Sequence, residues 1–137
     1  MEQKTITLVQ DSFEKVKPIA STAAEIFYSK LFELDPNLKP LFPSGEDAMK
    51  VQGDKLMTML SAAVAGLSNL EALVPVLQNL GKRHVEYKVE PSHYNTVGAA
   101  LLGTLAVGLG DDFTPEVKEA WASVYSTMSS VMIEASY

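Results

Sequence analysis

The 137-residue chain has no cysteine. That removes iron–sulfur clusters, thiolate zinc sites and disulfide frameworks, and leaves imidazole and carboxylate as the side chains able to hold a transition metal. It is compatible with either redox compartment. Histidine is nearly as scarce, with only His84 and His93. Long apolar runs are missing too: no stretch approaches the ~20 residues that span a bilayer, and Met1-Glu2-Gln3-Lys4 lacks the apolar core of a signal peptide. A soluble, cytoplasmic chain is expected. Basic residues number 11 against 17 acidic ones, for a net charge of -6. Scattered as they are, they offer no footprint for a phosphate backbone or an anionic membrane, so neither nucleic acid nor membrane is an expected partner. Period-two alternation, low-complexity segments and solenoid repeats are absent as well. At this length one domain over 1–137 is expected, with a single sizeable core.

What remains is helical spacing. Residues 7–16 set Leu8, Val9, Phe13 and Val16 three and four apart, and Pro18 closes the segment. Residues 19–34 are apolar around most of the circumference, which predicts a helix buried on more than one side. Asp35-Pro36 starts one further turn, held short by Pro40 and Pro43, which places Leu41 and Phe42 on a corner. Pro43-Ser44-Gly45 reads as a loop. Helical spacing resumes at Asp47 through Gln52, Leu56 and Leu60, and Asn69 is a candidate cap for a helix running to His84. Pro91 opens a helix that Gly108-Leu109-Gly110 ends, and Thr114-Pro115 starts a long last helix carrying Trp121. The fold class is all-α, with six or seven helices.

Both histidines fall in the stretch 80–94, so metal chemistry must begin there. His84 ends an apolar helical face, a place where an imidazole often serves only to complement the helix dipole. Gln52 lies on a face otherwise built of Met, Leu and Ala, where a polar amide needs a hydrogen-bond partner unless it sits at the partly exposed edge.

Several residues coincide in order and separation with one pattern: Tyr28 within Phe27-Tyr28-Ser29-Lys30-Leu31-Phe32, Phe42 after Asp35-Pro36, Gln52 with Leu56, His84, and Trp121 in the last helix. With Leu73-Val74-Pro75, Lys82-Arg83-His84 and Pro91-Ser92-His93-Tyr94-Asn95-Thr96-Val97-Gly98, the whole chain resembles the bacterial single-domain globins and the haem domain of flavohaemoglobins. The resemblance implies a globin fold around a haem b cofactor, iron protoporphyrin IX, with His84 as proximal ligand. It implies Tyr28 and Gln52 as distal hydrogen-bond donors, Leu56 as the apolar wall beside the ligand, and Phe42 packed on the porphyrin. Tyr28 has the alternative of a core tyrosine bonded to a backbone carbonyl, and Phe42 that of an ordinary buried core residue. Lys55 and Arg83 are placed near the propionates, though each serves equally as a solvated charge, and Val89 and Val97 are porphyrin contacts or simply core. His93 matches no haem-contacting position and reads as a solvated residue in the first turn of its helix.

The implied ligands are dioxygen, nitric oxide or another diatomic gas. Reversible oxygen binding leads, with no residue assigned a certain catalytic role. Nitric oxide dioxygenation is the enzymatic alternative. A gas sensor or a haem-free helical interaction module is the third. The chain stops at Tyr137 without a G-x-G-x-x-G, so the enzymatic reading implies an external reductase. In that family Tyr94 and a glutamate of the last helix bond around the proximal histidine. Here the glutamate's place falls past the chain end, and Glu134 is the nearest candidate.

Overall fold

The computed structural model describes residues 2–42, 45–86 and 89–136, the side chain of Glu46 excepted. Six α-helices and four short 3-10 turns make up its regular structure, and no strand occurs among the described residues.

The first helix, α1 (Gln3–Val16), begins four residues before the spacing predicted, because Ile6 carries the buried stripe of Val9, Phe13 and Val16 back by one turn. A 3-10 turn (Lys17–Ile19) leads into α2 (Ala20–Leu34), which buries Ala23, Ala24, Phe27, Tyr28 and Leu31. The Asp35 carboxylate then accepts from the Asn37 N–H at 3.1 Å and opens the 3-10 turn Pro36–Leu41, which ends at an extended Phe42. Of the expected loop after it, Pro43 and Ser44 lie outside the described residues. Gly45 is described, and its φ of +103° is one that side-chain-bearing residues rarely adopt.

Next come α3 (Glu46–Gly66), a 3-10 turn (Leu67–Asn69) and α4 (Leu70–Glu86). The expected cap at Asn69 is not what separates these two helices. The apolar stripe runs on through buried Leu67, Leu73 and Leu77, so the chain turns without leaving helical conformation. One expectation is corrected here: by length and composition alone, the stretch Asp47–Glu86 does pass as long and apolar enough to cross a membrane. Its apolar residues are divided between two helices, and Gln10 of α1 is bonded to the junction, donating to the Val64 carbonyl and the Ser68 hydroxyl, both at 3.0 Å.

Pro91 opens α5 (Pro91–Leu109) as expected, and Gly110, at φ +55°, ends it. In the last helix, α6 (Pro115–Ser136), the Val117 N–H donates to the Thr114 hydroxyl at 3.3 Å, as the Thr-Pro start predicts. The layers follow from the buried faces: α6 packs against α1 and α4, while α2 packs against α5 and α3. At the centre, fully buried Trp121 donates from Nε1 to the Ser12 hydroxyl at 2.8 Å, and Ser12 donates to the Leu8 carbonyl at 2.7 Å. The largest core side chain thus has its one polar atom satisfied.

Candidate functional site

The structure gathers the singled-out residues into two groups. The first lies where α2, the 36–41 turn and α3 meet. Tyr28 is buried within an aromatic cluster: its ring centroid is 5.1 Å from Phe27 and 5.4 Å from Phe42, both edge-on, and 6.0 Å from Phe32, stacked. Close approach of α2 and α3 makes this possible, since a Cβ on Gly53 would stand 3.0 Å from that of Ala24. Gln52, half-buried one residue earlier on α3, lies beside the Tyr28 side chain. Burial raises the Tyr28 pKa above the ordinary phenol value, and the Gln52 side chain pulls weakly the other way. The phenol therefore keeps its proton near neutral pH and can donate it. Leu56, four residues after Gln52 on the same helix face, is half-buried against the core. Phe42 is likewise half-buried rather than buried as expected, because its edge-on contacts with Tyr28 and Phe32 cover only part of the ring.

The second group lies where α4 ends and α5 begins. His84 is half-buried in the last turn of α4, and its carbonyl accepts from the Val89 N–H at 2.9 Å. Its Nδ1 is 3.4 Å from the Tyr94 hydroxyl, with the rings nearly perpendicular. Nε2 is then the nitrogen a metal would take. Burial lowers the imidazole pKa below its ordinary value, which favours the neutral form that ligates metals. Gly81, one turn earlier, lets α6 come close: a Cβ there would be 2.5 Å from the Met132 carbonyl oxygen and 2.6 Å from the Ser136 hydroxyl. That Ser136 hydroxyl is buried and has no hydrogen-bond partner among the described residues.

Tyr125 of α6 was not singled out by the sequence, yet it joins this group. Its hydroxyl donates to the Tyr94 carbonyl at 2.6 Å, and its ring lies over Gly98, where a Cβ would stand 2.7 Å from Cε2. Burial, reinforced by Tyr94, pushes its phenol far up, so it stays protonated. The only signal was its place four residues after Trp121, and that alone reads as a helix-face tyrosine.

The remaining residues divide cleanly. Val89 and Val97 are half-buried and packed against the core, whereas Lys55 and Arg83 are exposed and have no ion-pair partner among the described residues. Glu134 is exposed on α6. His93 corrects the expectation of a solvated side chain. It is 18 % exposed, its Nδ1 accepts from the Glu90 N–H at 3.0 Å, and its Nε2 lies 3.9 Å from the Glu90 carboxylate. It caps α5, and both ring nitrogens face Glu90.

An all-helical chain with the half-buried His84 in the last turn of one helix, and a buried tyrosine beside a half-buried glutamine on two others, has the makings of a globin. A family model described as globin matches residues 25–132, from α2 to near the end of α6, and the chain belongs to that family. Within it, the chain resembles the globin portion of bacterial flavohemoproteins. It is 28 % identical to the flavohemoprotein of Bacillus subtilis over 97 % of its own length and 33 % of that protein's. It is 27 % identical to that of Vibrio cholerae over 98 % and 34 %, and 32 % identical to that of Deinococcus radiodurans over 96 % and 32 %. The chain thus spans about a third of the length of the curated relatives it matches.

Proposed function

We propose that this globin binds haem b through His84 and holds dioxygen reversibly beside Tyr28 and Gln52. The observation that carries the reading is the buried Tyr28, set among Phe27, Phe32 and Phe42 with the Gln52 side chain beside it. Two polar groups placed in such surroundings serve a ligand with charge to stabilise. The residues fit a flat apolar group with an iron at its centre. Phe42, Leu56, Val89 and Val97 are all only half-buried, unlike the fully buried core, so each offers apolar surface for such a group to cover. When bound, the group would supply an iron able to take a neutral imidazole, that of His84, and a diatomic gas as ligands.

The chain's own contribution is hydrogen bonding on both sides. Gln52 lies beside the Tyr28 phenol, and both side chains can donate to a ligand. Dioxygen in such a site acquires partial negative charge and gains from them, while carbon monoxide gains little. Tyr28→Phe or Gln52→Leu is expected to speed oxygen dissociation by roughly tenfold to a hundredfold, the equivalent of about 1–3 kcal/mol, with carbon monoxide dissociation changing far less. Stopped-flow rates within twofold of the parent for both variants would remove the distal reading.

The Tyr94–His84 contact favours a second reading, nitric oxide dioxygenation. With Nε2 on a metal, Nδ1 carries the proton and donates it to the Tyr94 oxygen, which makes the imidazole a stronger donor to the metal. The reaction joins dioxygen, nitric oxide and one electron into nitrate, and a reductase must supply the electron. Steady nitric oxide consumption with added reductase supports this reading. A single stoichiometric burst supports oxygen binding.

A further inference from the structure

We propose that Phe32 is a positioning residue for Tyr28: stacked on the phenol, its ring fixes the plane in which the Tyr28 hydroxyl proton lies, and so the direction in which that proton is offered to a ligand.

A phenol oxygen conjugates with its ring, so the O–H bond lies in the ring plane and points to one side or the other within it. Turning the ring about its long axis therefore turns the proton, although the oxygen, which sits on that axis, stays where it is. The side chain does not choose the plane for itself, because the second torsion of a tyrosine has only broad preferences. Its neighbours must choose it.

Three rings surround Tyr28. Phe27 and Phe42 meet it steeply, at 82° and 67°, whereas Phe32 lies at 29° with its centroid 6.0 Å away. A ring that turns about its long axis carries its edges toward a near-parallel neighbour, so of these three Phe32 opposes the turn most directly. Two things hold Phe32 itself in place. It stands four residues after Tyr28 on α2, one turn along the same face, and its ring meets that of Phe42 edge-on at 5.5 Å. Tyr28, Phe32 and Phe42 thus form a closed triangle, each ring in contact with the other two, which ties α2 to the corner after the Pro36–Leu41 turn. Phe32 is the member of that triangle left without a part in holding haem or gas.

Phe32 touches no ligand by this account, and its effect passes through the Tyr28 hydroxyl. The consequence for dioxygen rests on the haem reading above, but the ring contact does not, since it is present in the chain alone. The test therefore uses both forms. In the haem-free protein with ring-labelled tyrosine, NMR measures how fast the Tyr28 ring flips. Phe32→Leu removes the stacked face and is expected to speed flipping by roughly threefold to tenfold, while Phe32→Tyr keeps the face and should match the parent. In the haem-loaded protein, Phe32→Leu should speed oxygen dissociation by roughly threefold to tenfold, again with Phe32→Tyr at the parent rate. In a Tyr28→Phe background there is no hydroxyl to aim, and Phe32→Leu should then have no further effect. A ring that merely fills space would speed release by the same factor in both backgrounds.

Flip rates unmoved by Phe32→Leu, an equal effect on oxygen release with and without the Tyr28 hydroxyl, or Phe32→Tyr behaving like Phe32→Leu would each overturn the proposal. If Phe32→Leu fails to fold, Phe32→Met, unbranched and adaptable, makes the same comparisons. A parent that takes up no haem, or a Tyr28→Phe variant that releases oxygen at the parent rate, sinks the reading above and leaves the flip rates to decide this one.

Discussion

His84, Tyr28 and Tyr125 carry pKa values displaced first of all by burial, each toward its neutral form. For His84 this has a thermodynamic consequence with a definite sign. Its folded pKa lies below the ordinary value of 6.5, so between the two the unfolded chain binds the extra proton. The contribution of the neutral ring is present above about pH 6.5 and is lost as pH falls through that value toward the folded pKa. In the haem-free protein, the urea midpoint should fall between about pH 7 and 5.5 more steeply for the parent than for His84→Leu. Equal slopes would contradict the burial account. Ser12 offers a second single-residue test, since Ser12→Ala leaves the buried Trp121 Nε1–H unpaired and should cost about 1–3 kcal/mol by chemical denaturation. A loss below about 0.5 kcal/mol would mean the indole finds another acceptor. Tyr28, Gln52 and His84 were legible in the sequence because the globin resemblance singled them out. Ser12 was not, because a serine between Val9 and Phe13 looks like the edge of a stripe, and its partner lies 109 residues away.

Among the helices, the starts and stops with local chemistry were the legible ones. Asp35-Pro36, Thr114-Pro115 and Gly110 all act where expected, since a carboxylate, a hydroxyl or a positive φ works within one turn of chain. The join between α3 and α4 was not legible, because Asn69 looks like a cap, whereas the burial of Leu67, Leu73 and Leu77 keeps the path helical. The crossing of α4 over α6 was equally hidden: Gly81 in a helical run reads only as a weak position. In the fold it is the contact point, with Met132 and Ser136 where a side chain would go. Gly81→Ala would favour the helix by intrinsic propensity, but it must push backbone away and is expected to destabilise by about 1–3 kcal/mol, a Tm lower by roughly 3–10 °C. A Tm equal to or above the parent's would show that α6 yields freely. Because His84 lies one turn beyond Gly81, the same variant should also loosen any ligand held there.

For the whole molecule, the all-α globin fold was readable from helical spacing joined to resemblance, which also paired Tyr28 with Gln52 and Tyr94 with His84, but the contacts that hold those groups in place were not readable. Nothing in the sequence spacing says that Tyr125 reaches Tyr94 or that the His93 Nδ1 accepts from the Glu90 N–H. Such contacts arise from the helix crossings, which sequence patterns leave open. The account of function rests on one imidazole, and a haemin titration of the purified chain tests it most directly. One equivalent should produce a Soret band with a five-coordinate ferrous spectrum on reduction, His84→Leu should bind weakly or not at all, and His93→Ala should match the parent. Full haem content and an unchanged ferrous spectrum in His84→Leu, or no Soret band in the parent, would contradict it.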